Sequence, residues 1–406
     1  MTVLPADSHG QPASDARGTF ALRWATYIAA FSSSWTGAAF GGFNVVDYAL
    51  GVTLVLFVGV AFFQRRRLHV FTWMLVPLVA AAIVSAWNTI VKDATFDAVM
   101  LLRIFLTMVS VAVIIFSLNE WIGGDYLRRL LTVWIAGIVA NALAAIAVSY
   151  GIVSLSGILT QATGERLSGL ASHPNSLAFS VCLAIAPCVF LLSTGRAKIA
   201  WMLCLAVILW GGTLSESRAA LLVGLPVLSV ALVITLSRSR LRSLAWPVLI
   251  LGVVAAWFVL PLVLSNSRLS DGAGALSDAG RVSLNENALR LFLQSPLTGE
   301  GFDSQSGVSV PLTVLTAGGI LFALGYYAFV FAPLPVLWLH RQTSIAPYGL
   351  VTVLALIGFG FFNPVFMERA TYWPILIAMA LCIKAGTSTT MARSLHESRP
   401  TGFTPR

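Results

Sequence analysis

The chain has 406 residues, 58% of them hydrophobic and only 10% charged, with a mean hydropathy of +0.87 and a formal charge of +9. Soluble domains carry roughly 25% charged residues, so this composition excludes a soluble globular protein and makes length a poor guide to domain number. The basic balance would suggest nucleic acid in a soluble chain; here it reads as membrane topology, and no nucleic-acid partner is expected.

Residues 1–19 are polar, lack periodicity and contain no apolar core of a cleavable leader. They read as a disordered cytoplasmic tail, and the first span is expected to act as an uncleaved insertion signal. A helical span needs about 20 apolar residues, and the sequence supplies about twelve such runs. They fall at 21–42, 46–63, 69–87, 97–117, 128–151, 174–193, 199–213, 218–236, 244–264, 309–339, 346–363 and 371–386. The first two follow each other almost without a loop. The tenth is overlong and is expected to kink at Pro333 and Pro335. The predicted fold is all-α: a polytopic membrane domain over 20–386, with a polar, disordered cytoplasmic tail at 387–406. Its longest non-apolar interval, 264–308, reads as an extracytoplasmic loop containing an interfacial helix. The cysteines Cys182, Cys188, Cys204 and Cys382 lie inside apolar runs; they read as small buried residues, with no spacing that implies a metal.

Orientation follows from the basic residues. With the first residue inside, Arg65 to Arg67, Arg128, Arg129, Arg196, Lys198, Arg238, Arg240, Arg242 and Arg341 all fall on the cytoplasmic side. This predicts a multi-pass protein of the cytoplasmic (inner) membrane with both termini cytoplasmic. The informative residues break the rule. Arg166, Arg218, Arg268, Arg281, Arg290 and Arg369 fall on the outer side, and Arg103 lies within a span. Arginine is favoured over lysine where a planar fork grips phosphate or carboxylate.

Four segments carry five of these arginines. In GERLSGLASHPNSLA, residues 164–178, Arg166 follows Glu165, and His173, Pro174 and Asn175 open the next span. Arg166 reads as an anion grip with His173 or Glu165 as its polar partner, and Asn175 as a cap for free backbone N–H groups. The bland alternative is a Glu165–Arg166 pair beside a capping turn. In LSESRAALL, residues 214–222, Arg218 stands at a helix N-terminus, where the dipole disfavours a cation. Either Glu216 or a bound anion compensates. In residues 280–304, Leu284, Ala288, Leu291 and Phe292 recur at helical spacing, so 282–294 reads as an amphipathic interfacial helix bearing Arg281 and Arg290. SPLTGEG then ends it. In NPVFMERATYWP, residues 363–374, Glu368 and Arg369 are able to pair locally, and Tyr372 and Trp373 suit a membrane interface. Arg103 is expected to face a polar cavity, with Asp93 and Asp97 as possible partners. Arginines gathered on one membrane face suit a lipid with an anionic head, such as a polyprenyl pyrophosphate.

The run RLSGLASHPNSLA, then SESRAALL, then GR…NALRLFLQSPLTGEGFD before another span resembles the O-antigen ligase and O-antigen polymerase superfamily. The resemblance implies an inverting, metal-independent and cofactor-independent glycan transferase of the bacterial envelope. Such an enzyme moves an oligosaccharide from an undecaprenyl-pyrophosphate donor to a glycan or lipid acceptor. It marks Arg166, Arg218, Arg281 and Arg290 as diphosphate and glycan binders, and a flippase and a chain-length regulator as possible partners. Family members often carry a histidine just after the PLxGxG segment; DSQSGVSVPLTVLTAGG has none. Asp303, Glu300 or His173 would substitute, or no base is used. Arg281, Arg290 and His173 are therefore the expected catalytic residues, with Arg166, Arg218, Asn175, Glu165, Arg369 and Asp303 binding substrate. The competing expectation is a transporter or flippase of lipid-linked glycans.

Overall fold

A computed structural model describes residues 13–40, 43–68, 72–91, 98–154, 166–266, 273–301 and 307–384. They are nearly all helical, as the composition requires: in lipid every backbone N–H and C=O must be matched within the chain, and a helix does this segment by segment. Among the described residues, six helices are long and apolar enough to cross a membrane, and five further apolar helices are shorter. This is a helical membrane protein.

The helices run α1 (Ala13–Ser32), α2 (Val45–Phe63), α3 (Thr72–Val91) and α4 (Ala98–Ile104), which passes through a π-turn at Phe105–Ser110 into α5 (Val111–Trp121). Then come α6 (Gly124–Ser149), α7 (Pro174–Thr194), α8 (Lys198–Leu214), α9 (Arg218–Ser237), α10 (Ala245–Asn266) and α11 (Ala273–Gln294). The chain closes with α12 (Val310–Phe331), α13 (Pro333–Leu339), α14 (Ala346–Gly360) and α15 (Trp373–Lys384).

The first expected span stops early. α1 ends at Ser32, and beyond it a two-residue strand, β1 (Ala39–Phe40), pairs antiparallel with β2 (Phe43–Asn44). Three consecutive serines, Ser32 to Ser34, followed by Thr36 and Gly37 explain the stop, because such side chains compete for the backbone. The expected disordered tail also shortens, since helix begins at Ala13; residues 1–12 and 385–406 lie outside the described residues.

α7 is the central helix, packed by α6, α8, α9 and α14, with 83% of its apolar window buried. Its sequence is apolar all round, which is what a helix enclosed on every side requires. α12 packs along α3, where Gly325 lets the backbone of Pro77 approach. The basic residues gather at one end of the bundle. Arg66 lies over the Trp121 ring at 5.6 Å, Lys384 Nζ donates to the Asn119 carbonyl at 3.1 Å, and Arg238 donates to the carbonyls of Arg341 and Thr343 at 2.8 and 3.0 Å. The tips of α1 and α2, α6 and α7, α8 and α9, and α14 and α15 meet at the opposite end.

The overlong span divides before Pro333, where α12 gives way to α13 as the prolines predict, and it is broken a second time within α12. α12 is interrupted at Gly319 (φ 63°, ψ −164°), a conformation only glycine adopts readily. The turn after α11 fills the gap. Ile320 N and Leu321 N donate to the carbonyls of Pro296 and Leu297 at 2.9 and 3.1 Å, while Glu300 N and Gly301 N donate to the carbonyls of Thr316 and Ala317 at 2.8 and 3.2 Å. Both broken ends of the helix are thereby satisfied by one turn. A Cβ on Gly299 would lie 2.6 Å from the amides of Gly318 and Gly319, so the approach itself demands glycine. α11 is helical from Ala273, longer than the expected 282–294, and packs on α12.

Candidate functional site

The site is built at the first turn of α7, at the end opposite the basic clusters. His173 is the N-cap: its Nδ1 accepts from Asn175 N at 3.0 Å, and Pro174 occupies the first helical position, where a missing N–H costs nothing. The capping role expected of Asn175 thus belongs to His173. The Asn175 side chain is released for another task. Its Oδ1 accepts from Arg166 Nη2 at 2.9 Å, and its Nδ2 donates to Asn363 Oδ1 at 2.7 Å. Arg166 Nε donates to the Ser215 carbonyl at 2.9 Å, in the turn that precedes α9. Arg218 is the first residue of α9 and half-buried, three residues beyond that carbonyl, after Glu216 in the left-handed region (φ 47°).

The next residue, Ser176, donates from Oγ to Glu368 Oε1 at 2.6 Å. The expected Glu368–Arg369 pair does not form. Arg369 instead donates both Nε and Nη2 to the two oxygens of Asp47, each at 2.9 Å. Asp47 and Arg369 are 3% and 8% exposed, so this is a fully sequestered fork-to-fork pair. Asp47 also accepts from Asn44 N at 3.1 Å, and Arg103 Nε stands 3.7 Å from its Oδ2. Arg103 does face a polar group, as its cost in lipid demands, but the group is Asp47. Asp93 and Asp97 lie outside the described residues, as do Glu165 and Asp303.

The loop leading to His173 is pinned from the other side. Leu170 N donates to Asn141 Oδ1 at 2.7 Å, Gly37 N donates to the Leu170 carbonyl at 2.9 Å, and Ser172 N donates to Thr36 Oγ1 at 3.1 Å. Asn141 is wholly buried on α6 and also donates to the Ser34 carbonyl at 3.0 Å.

Arg281, on α11, is near enough for its charge to be felt at His173. Desolvation lowers the pKa of His173 below the ordinary imidazole value of 6.5, and the charges of Arg166 and Arg281 lower it further. With Nδ1 accepting the cap bond, the neutral ring carries its proton on Nε2. His173 thus serves as the helix cap, and burial and the two arginine charges disfavour its cationic form. Arg290 is elsewhere. It lies nine residues on, about half a turn round the helix at 3.6 residues per turn, exposed and bonded to Asn287 Oδ1 at 2.8 Å.

Two apolar grooves open on the bundle's flank. One, of about 250 Å³, runs between α12 and α14 and is lined by Val310, Tyr326, Tyr327, Phe331, Leu356 and Gly360. Its upper rim, Val310 against Gly360, lies just before Asn363, whose N–H closes α14 by donating to the Phe359 carbonyl at 3.1 Å. The other, of about 350 Å³, lies between α3 and α4, where Leu101, Leu102, Ile104 and Phe105 flank Arg103. Among the described residues no group of three His, Cys, Asp or Glu is placed to hold a metal ion.

Sequence reasoning singled out Arg166, His173 and Asn175, which lie together at the α7 turn, with Arg218 three residues from Ser215 and the charge of Arg281 felt at His173. It missed Asp47, Asn363 and the role of Glu368. The one local signal for Asp47 is an acid in the first turn of an apolar helix, which the helix dipole alone would explain. No protein-family model matches this chain, and no curated protein matches it.

Proposed function

We propose that this protein is an inverting glycan transferase, polymerising or ligating oligosaccharide units from an undecaprenyl-pyrophosphate donor at the outer face of the cytoplasmic membrane. On this reading α4 with α5 and α12 with α13 each make one crossing. Together with α1, α2, α3, α6, α7, α8, α9, α10, α14 and α15 they give twelve, with both termini cytoplasmic on the side of the basic clusters.

One observation supports the reading most: Arg166 is held at the turn opening α7 beside His173, whose ring also feels the charge of Arg281, and the Asn363 that bonds this turn follows the rim of a lateral apolar groove. Guanidinium forks suit the oxygens of a diphosphate, and the groove suits the start of its prenyl chain. The acceptor hydroxyl attacks the anomeric carbon from the face opposite the diphosphate. The new C–O bond forms as the sugar–phosphate bond breaks, and the electron pair leaves with the lipid pyrophosphate. Charge builds on that leaving group, where the Arg166 guanidinium is already held by Ser215 and Asn175, so it stabilises the transition state more than the ground state. The hydroxyl proton passes to Glu368, the carboxylate bonded to Ser176 beside Asn175.

A broken helix such as α12 is also a device of transporters, whose half-helix ends face the cargo. Here the ends are closed by residues 296–301 of the chain itself, which favours transferase over flippase. The deciding experiment is purified protein in lipid nanodiscs with a synthetic undecaprenyl-pyrophosphate oligosaccharide, followed by product sizing. Longer or acceptor-linked glycan is expected from the wild type and none from Arg281→Lys at equal abundance. An unchanged donor with the wild type ends the proposal.

A further inference from the structure

The last connection of the bundle, residues 361–372 between α14 and α15, has three polar pins. Asn363 and Glu368 hold the first turn of α7 through Asn175 and Ser176. Arg369 holds Asp47 in the first turn of α2. The first two tie this strap to the very turn it serves. The third ties it to a different helix, and it is the buried one.

We infer that the Asp47–Arg369 pair is a positioning pair, setting the strap so that Glu368 reaches its place at the α7 turn; this rests on the transferase reading above. Three features of the chain favour it. The pair is bidentate, so it fixes angle as well as distance. Asp47 is itself immobilised by Asn44 N and by Arg103 on α4, so it is a fixed post rather than a second flexible end. And Arg369 is covalently next to Glu368, so the stretch of backbone that the pair anchors is the one that carries the carboxylate. Burial of the pair makes it close to all-or-none, since a half-open geometry leaves two charges unpaired away from water.

Arg166 depends on this post only in part: its bond to Asn175 leads to the strap through Asn363, but its bond to the Ser215 carbonyl does not. The loop before His173 does not depend on it, being held by Asn141 and Thr36. The inference therefore separates two quantities: loss of the pair lowers turnover and leaves donor binding nearly as it was.

The test uses the full-length protein in nanodiscs, with Arg369→Lys, which keeps the charge and loses the fork, and the double variant Asp47→Asn with Arg369→Gln, which keeps a hydrogen bond and removes the buried pair. Amide exchange by mass spectrometry is expected to quicken over 361–372 and at the start of α7 while 168–172 stays protected. Turnover is expected to fall roughly tenfold or more, as displaced catalytic groups do, with donor KM moving less than about twofold. Unchanged exchange over 361–372 in both variants overturns the inference, and so does quickened exchange with wild-type turnover. A wild type that transfers nothing sinks the functional reading alone, since the exchange arm still decides whether the pair sets the strap.

Discussion

The turn that opens α7 and the helix α11 both present arginines at the same end of the molecule, yet they are built in opposite ways. Around the turn, each named side chain is tied to another element: Arg166 to the α8–α9 turn, Asn175 and Ser176 to the strap, and the preceding loop to α6 and the tip of α1. α11 packs on α12, and its exposed side carries Val282, Leu289 and Leu293. Arginine identity is therefore a poor guide to role. The same residue type is a preorganised donor where its acceptors are fixed and a solvated charge where its partner is a neighbour on its own helix, as for Arg290 with Asn287.

The comparison breaks most visibly at Arg166. Replacing it by Ala is expected to lower transfer by about a hundredfold to a thousandfold, the cost of removing one preorganised donor from a developing charge. Lys should recover little, lacking the fork that spans Ser215 and Asn175. Product sizing under single-turnover conditions measures both. Next is Gly319→Ala, which tests how α11 is attached. The residue would be held in a glycine-only conformation against the backbone of Leu297, at a cost of about 1–3 kcal/mol. A thermal melt should show the loss, and exchange should quicken over 295–301 before any other segment.

The third prediction concerns pH. The pKa of His173 is lowered in the folded protein, so the neutral, capping form is complete above the ordinary imidazole value of 6.5. As pH falls through the lowered value, Nδ1 gains a proton, Asn175 N loses its acceptor and a third cation joins Arg166 and Arg281. Stability and transfer should both decline on that acid limb. His173→Asn keeps a good N-cap without titrating and should flatten the limb, read as the pH profile of transfer between the variants. The smallest effect is expected at Arg290. Ala there should change stability by less than about 0.5 kcal/mol and transfer by less than twofold, a contrast with Arg281→Lys that sharpens the division between the two faces of α11.

What could be read in the chain follows the range of the interactions. Apolar runs and the His-Pro-Asn helix start are local, and composition alone yields them. The arginine excess was visible too, because topology gives an expectation to violate. The Asp47–Arg369 pair was not, since its partners lie 322 positions apart and each had a sufficient local explanation. The first span was drawn too long because the serines after Ser32 sit among apolar neighbours that average them away. Pro333 marks the division between α12 and α13, whereas the break at Gly319 has no local signal, because it depends on a turn from elsewhere arriving to satisfy it. Arg290 was grouped with Arg281 on motif proximity, although helical geometry already put them on opposite faces.

The turn lodged in the α12 break has a bearing on biogenesis. A gap in a membrane helix would leave several amides and carbonyls bare in hydrocarbon, each costing several kcal/mol. Residues 296–301 are synthesised just before the segment they complete. The emerging helix therefore meets its own stopper as it leaves the insertion machinery, and lipid never has to solvate the gap.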